Sequence, residues 1–72
     1  MEADAIARLA AQVRERRRSL GLTQTDLADL AGCSSRFVRS LEAGKGTVRV
    51  DKLLDVLDVL GLELIARLRS TP

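Results

Sequence analysis

The sequence has no histidine, tyrosine or tryptophan, and a single cysteine among its 72 residues. Histidine is the side chain used most often for general acid–base catalysis, so any catalysis would depend on scattered carboxylates, serines and Cys33. None of these nucleophiles stands at helical or turn spacing from a base, which argues against an enzyme. The lone cysteine excludes an intramolecular disulfide framework, and without histidine it predicts neither a metal site nor a cofactor.

Long apolar runs are also missing. No stretch approaches the roughly 18 apolar residues that a membrane span requires, and the N-terminus, MEADAIARLA, is acidic and mixed, unlike a secretory signal. We therefore expect a cytoplasmic protein with no membrane partner. A chain this short buries only about 60% of the surface that its unfolded form exposes, so a second subunit would add stability that one small domain lacks.

Acidic residues are scarce in the middle of the chain. The net charge of the whole chain is +2, but the segment 14–49 holds eight basic residues against four acidic ones, a local excess of four. Such an asymmetry is typical of a face that binds a polyanion, although a merely solvated basic surface gives the same count.

Apolar residues at helical spacing predict four helices within one domain, 1–72. The first covers about 3–19. The second begins at Thr23, which can form a capping box with Asp26, and it ends at Gly32, the residue type that a left-handed turn favours. Its inward residues are Leu27, Ala28, Leu30 and Ala31. A third helix follows from Ser34 to about Ala43, and a fourth runs from Val50 to Leu60 with an inward stripe of Val50, Leu53, Leu54, Leu57 and Leu60.

The third helix has two contrasting sides. Val38 and Leu41 lie on the apolar side, and the opposite arc carries two arginines, two serines and no acidic residue: Ser35, Arg36, Arg39 and Ser40. A polar arc on an amphipathic helix is usually only a solvated face. The absence of acidic residues favours a nucleic-acid contact, and the following loop, with Lys45, Thr47 and Arg49, suits phosphate.

Arg17 falls in the middle of the apolar stripe of the first helix and therefore needs a carboxylate partner. Glu42 is the only acidic residue on the third helix and lies at the edge of its buried side, next to Val38. We predict a buried ion pair between Arg17 and Glu42 that joins these two helices. The alternative is a surface glutamate without a partner.

The end of the chain changes period from 3.6 to 2 after Gly61, which predicts a strand over about 62–69. Leucine, glutamate, alanine and arginine are also good helix formers, so a fifth helix is the alternative. A lone strand needs ladder partners, and the simplest partner is the same strand of a second copy. Val56 and Val59 lie outside the predicted inward stripe and would extend that contact. The predicted dimer interface comprises Val56, Val59, Leu62, Leu64, Ile65, Ala66 and Leu68.

The combination LTQTDLA, Gly32, Val38 and LEAGK resembles the repressor-like helix-turn-helix family typified by the lambda repressor, Cro and Xre, with the motif at 23–44. The tail GLELIARLR makes the chain similar to the HipB branch of antitoxins. The resemblance implies a mainly α, lambda repressor-like bundle, here of four helices, with a C-terminal β-strand that pairs between subunits. It also implies a homodimer on a palindromic double-stranded DNA operator and a HipA-like kinase toxin as partner.

The resemblance also assigns roles to individual residues. Ser35, Arg36 and Ser40 would face base edges, whereas the DNA backbone would be contacted by Thr23, Gln24, Arg39, Lys45, Thr47 and Arg49. Arg36 is the best candidate for base readout, because arginine pairs most often with guanine O6 and N7. The competing interpretation is a protein-interaction module that neutralises a partner toxin. It would act through the C-terminal strand and the acidic flank of the fourth helix, which consists of Asp51, Asp55 and Asp58.

Overall fold

Four helices account for most of the chain that the computed structural model describes, which is residues 2–44 and 46–66. They are α1 (Glu2–Ser19), α2 (Gln24–Ala31), α3 (Ser35–Glu42) and α4 (Val50–Leu60). The prediction of a mainly helical, four-helix domain is confirmed.

The α2–turn–α3 unit is built by local backbone chemistry. At the start of α2, the Thr23 hydroxyl accepts from the Asp26 N–H at 2.9 Å, and the Asp26 carboxylate accepts from the Thr23 N–H at 3.0 Å. Gly32 ends α2 in the left-handed conformation, with φ +72°, which glycine adopts without a Cβ penalty. Two residues later the Ser34 hydroxyl accepts from the Phe37 N–H and caps α3. These caps end α2 and start α3 with only residues 32–34 between the two helices.

The core lies where all four helices meet. α2 packs against α3 and α4, and α1 also packs against these two helices. Each helix contributes its buried apolar stripe, and the fully or nearly fully buried residues are Ala10, Val13, Leu27, Ala28, Val38, Leu41, Leu53, Val56, Leu57 and Leu60.

The orientation of α4 differs from the prediction. Val56 is fully buried, whereas Val50 and Leu54 of the predicted stripe are exposed. Both flanks of the Leu53–Leu57–Leu60 stripe are apolar, so the helical period fits two overlapping faces and packing selects one of them. Val56 is therefore a core residue, and its assignment to the dimer interface is wrong. On α2, Leu30 was likewise expected to face inward but is 63% exposed.

Residues 61–66 follow α4 without a further helix. Gly61 takes φ +71°, and the Leu62 N–H then donates to the Leu57 carbonyl at 2.9 Å, which closes the helix end. Leu62 packs against the core, and residues 62–66 form neither helix nor strand. The fifth helix is thus ruled out for 62–66, and the predicted strand has no ladder within the described chain. Its last part, with Leu68, lies outside the described residues.

Candidate nucleic-acid interface

α3 presents a basic arc because its other side is held in the core. Val38 and Leu41 are buried, and Arg36, Arg39 and Ser40 are exposed, with Ser35 half-buried at the first turn. The only acidic residue of α3, Glu42, is buried on the core side. The exposed arc therefore carries positive charge and hydroxyl groups without a neighbouring carboxylate from its own helix.

The predicted Arg17–Glu42 ion pair is present and buried. Arg17 Nε donates to Glu42 Oε2 at 2.6 Å and Nη2 donates to Oε1 at 2.9 Å, in the bidentate geometry that arginine and carboxylate favour. Arg17 Nη1 donates to the Leu22 carbonyl at 2.8 Å. The two side chains are only 10% and 3% exposed. The pair therefore joins α1 to the C-terminal end of α3 and holds the loop before α2.

Gln24 belongs to the same network. Its side-chain amide donates to Glu42 Oε1 at 3.1 Å, so this residue at the start of α2 is oriented by the buried carboxylate. The contact brings the N-terminus of α2 to the C-terminal turn of α3. An amide held by one N–H still has a second N–H for an external acceptor such as a phosphate oxygen.

The charge state of Glu42 follows from its surroundings. Burial raises the pKa of its carboxyl, but hydrogen bonds from Arg17 and Gln24 and the positive charges of Arg17 and Arg14 lower it further than burial raises it. The pKa of Glu42 consequently lies below its ordinary value, and the carboxylate is ionised at neutral pH. The hydrogen bond with Glu42 raises the pKa of Arg17 despite its burial.

This lowered pKa predicts an acid-dependent loss of stability. A group whose pKa is lower in the folded protein stabilises it above the unfolded pKa, about 4.3 for glutamate, and the contribution disappears as the pH falls through the folded pKa. Glu42→Gln cannot titrate at this position. The gap in unfolding free energy between wild type and Glu42→Gln, measured by urea denaturation, should therefore narrow below about pH 4. A gap that stays constant down to about pH 2 would contradict this prediction.

The loop between α3 and α4 is only partly available for phosphate. Thr47 is exposed, but Arg49 donates to both carboxylate oxygens of Asp51, at 2.7 and 3.2 Å. This exposed ion pair holds the pKa of Asp51 below its usual value through the Arg49 hydrogen bond and the Lys52 N–H. Exposed pairs contribute little free energy, so Arg49 can exchange Asp51 for a phosphate. Lys45 lies outside the described residues.

Two arginines of α1 have roles that the sequence did not suggest. The charge of Arg14 helps to lower the pKa of Glu42. Arg16 Nε donates to the Leu60 carbonyl at 2.8 Å, at the negative end of the α4 dipole. Only the position of α4 reveals the contact of Arg16, because helical spacing within α1 carries no information on it.

Residues 2–44 and 46–66 contain neither a membrane-spanning helix nor a metal-binding cluster. No helix there combines the length and hydropathy of a membrane span. No group of three or more histidine, cysteine, aspartate or glutamate side chains there is arranged to hold a metal ion.

Comparisons with known proteins agree with this arrangement. Residues 13–66 match the family model HTH_3, Helix-turn-helix. The chain is 43% identical over 58 residues to the uncharacterized HTH-type transcriptional regulator y4mF of Sinorhizobium fredii, which covers 81% of this chain and 76% of that protein. It is similar in fold, with a TM-score of 0.77 and 22% identity, to the crystal structure of an HTH_3 family transcriptional regulator from Vibrio cholerae. That likeness covers 88% of this chain but only 35% of the other. The chain therefore belongs to the helix-turn-helix family HTH_3, the Xre and lambda repressor-like class of transcriptional regulators.

Proposed function

We propose that the protein is a cytoplasmic, sequence-specific DNA-binding repressor that acts as a homodimer on a palindromic operator. The supporting observation is the exposed arc of α3, with Arg36, Arg39 and Ser40 and no carboxylate, on a helix whose other side is fixed by the core and by Glu42. An α-helix fits the major groove, with its N-terminal residues at the base edges. Two such helices about 34 Å apart would meet successive turns of one DNA face.

In this proposal the residues divide into two groups. Ser35, Arg36 and Ser40 read base edges, and Arg36 is the principal reader because a bidentate arginine–guanine contact is the commonest specific one. Contacts to the sugar–phosphate backbone set the register and come from Thr23, Gln24, Arg39, Lys45, Thr47 and Arg49. Gln24 is held in place by Glu42, so the buried ion pair also positions one of the backbone contacts.

Arg36→Ala should weaken binding to the operator by about 1–3 kcal/mol and relax specificity at one base pair. The loss arises because a guanine edge would remain without its donor pair. The assay is a mobility shift with the DNA upstream of the chain's own gene at moderate salt, compared with random DNA. Equal losses on both DNAs would show that Arg36 contacts the backbone.

Lys45→Ala is the contrasting variant. If Lys45 contacts a phosphate, its replacement should weaken binding to all sequences alike. The slope of log affinity against log salt concentration should also become shallower by about one.

The same assay tests a second candidate function, a protein-interaction module, which is suggested by the exposed Asp51, Asp55 and Asp58 along α4. No shift with wild type, or a shift that Arg36→Glu leaves unchanged, would favour that module.

We further propose that the regulated operon is of the HipBA type, with this chain as antitoxin that autoregulates its promoter and binds a HipA-like kinase toxin. The support is the resemblance of the tail GLELIARLR to the HipB branch. The test is whether the neighbouring reading frame encodes a kinase-like protein. We expect that protein to co-purify with the full chain, and we expect the chain to suppress its toxicity. An operon without such a gene would leave the repressor proposal intact and remove the antitoxin role.

A further inference from the structure

The described part of the chain contains two arginine–carboxylate ion pairs, and they differ in exposure. The side chains of Arg17 and Glu42 are only 10% and 3% exposed, so solvent ions cannot replace either partner. Arg49 and Asp51 are each 67% exposed, and Arg49 Nε and Nη2 donate to the Asp51 carboxylate at 3.2 and 2.7 Å. The first pair is therefore a fixed link between helices, whereas the second can open.

Arg49 stands in the chain between two regions of opposite charge. The basic arc of α3 precedes it, and the acidic flank of α4 follows it. Its neighbour Val48 packs against the core, but Arg49 itself is exposed at the residue before α4. A side chain at this position commonly caps the helix, yet Arg49 makes no capping hydrogen bond. Its guanidinium thus supports neither the core nor the helix end, and it is accessible to an external anion.

Asp51 keeps other favourable contacts when Arg49 moves away. Its carboxylate also accepts from the Lys52 N–H at 2.9 Å, and it lies in the first turn of α4, where the helix dipole favours a negative charge. Only an exposed ion pair is given up, and such pairs hold their partners weakly. Phosphate oxygens accept from a guanidinium in the same forked geometry as a carboxylate. A DNA phosphate can therefore take the place of Asp51 on the same two N–H groups.

We infer that Asp51 competes with DNA phosphate for Arg49 and so lowers the affinity of the protein for DNA. In the free protein the carboxylate occupies one edge of the guanidinium and offsets its charge. In the complex a phosphate occupies that edge, and Asp51 keeps the Lys52 N–H. The inference rests on the DNA binding of the proposed function. It requires neither a dimer nor a particular operator, because phosphate contacts carry no sequence information.

Asp51→Asn should strengthen binding to a short duplex of random sequence by roughly two- to fivefold, which is the equivalent of one exposed ion pair. The gain arises because the variant has no pair to give up before Arg49 meets a phosphate. The replacement also removes a negative charge that repels DNA, so Arg49→Gln is the matched background. In that background Asp51→Asn should give a smaller gain, since only the repulsion is lost. Fluorescence anisotropy at low salt gives the dissociation constants, and circular dichroism verifies the fold of each variant.

Two further measurements distinguish this exchange from a structural effect of Asp51. Arg49→Gln should make the slope of log affinity against log salt concentration shallower by about one, whether residue 51 is aspartate or asparagine, because Arg49 contacts phosphate in both complexes. In the free protein, Arg49→Gln should raise the pKa of Asp51, because the Arg49 hydrogen bond is the main cause of its lowering. Titration of the Asp51 carboxyl carbon by NMR measures that change.

The outcomes separate the competition from the proposed function. Equal gains from Asp51→Asn in the wild-type and Arg49→Gln backgrounds would overturn the competition, because Asp51 would then act only through its own charge. Weaker binding by Asp51→Asn would overturn it too, and would show that Asp51 holds Arg49 in place for phosphate. The expected gains on random DNA, without any preference for the operator, would support the competition and reject the sequence-specific repressor. A wild type that binds no duplex even at low salt would reject both.

Discussion

Glu42→Ala should lower the free energy of unfolding by about 3–5 kcal/mol, because it leaves the Arg17 guanidinium buried without its carboxylate. Three hydrogen bonds to Glu42 are lost at once, two from Arg17 and one from Gln24. For a domain of this size the melting temperature should fall by roughly 12–40 °C. Arg17→Ala should have a similar effect, since it leaves the Glu42 carboxylate buried without its guanidinium partner. Thermal and urea denaturation followed by circular dichroism measure both losses.

Two further variants establish the cause. Glu15→Ala removes an exposed carboxylate from α1 and should change stability by no more than about 0.5 kcal/mol. The double replacement Arg17→Met/Glu42→Leu removes both charges and fills the same space with apolar atoms, so it should recover most of the lost stability. If the double variant were as unstable as Glu42→Ala, shape would matter more here than the unpaired charge.

Deletion of residues 63–72 should weaken operator binding by roughly 10²–10⁴-fold. In the proposed dimer, binding of one copy holds the other copy close to the second half-site, and without the tail each copy would have to bind its half-site independently. The helices remain, since Leu62 and the closing bond to Leu57 are retained. The deletion removes one glutamate and two arginines, a net loss of one positive charge. Titration of operator DNA under one fixed salt concentration, with sedimentation to establish the oligomeric state, gives the result.

Arg69→Gln is the appropriate control for this deletion. It also removes one positive charge from the tail, but it keeps residues 62–68 and should therefore dimerise normally. A single lost cation costs only a modest, salt-dependent part of the affinity. If Arg69→Gln weakened binding as much as the deletion does, the tail would act through charge on DNA and not through a second copy.

The two expected effects involve different parts of the molecule. Arg17 and Glu42 act within one copy and fix how α3 and Gln24 are presented. In the proposed dimer, the tail would act between copies and set the distance between two α3 helices. A loss of stability without a change in dimerisation for Glu42→Ala, and a loss of dimerisation without a loss of stability on deletion of residues 63–72, would show that the ion pair and the tail act independently.

Much of this site could be predicted because its signals are local. The capping box of Thr23 and Asp26, the left-handed Gly32 and the cap at Ser34 lie within a few residues of their partners. The buried pair was also predictable, because Arg17 stands in an apolar stripe and Glu42 is the only carboxylate of α3. A charge at a core position requires a partner of opposite charge, whichever way the helices are packed.

The remaining contacts required the positions of other helices. Arg16 reaches the Leu60 carbonyl across 44 residues of sequence, and Gln24 donates to Glu42 instead of projecting freely. Each is a polar contact of an exposed or half-buried side chain, and helical periodicity carries no information on what lies opposite such a residue. The pair of Arg49 with Asp51 is different, because it is a local contact at the start of α4 that the assignment of Arg49 to a phosphate-binding loop overlooked.

The sequence by itself determined the four helices, their ends, the basic arc of α3 and the need for an Arg17–Glu42 pair, since spacing, capping residues and charge burial act within short stretches of chain. Only the tertiary structure decided which apolar flank of α4 is buried. Val56 and Leu54 both border the Leu53–Leu57–Leu60 stripe, and the packing of α4 against α1 and α2 covers Val56 and leaves Leu54 beside the C-terminal segment. Where a helix is apolar on both flanks, its neighbours choose the buried face, because the period alone fits either one.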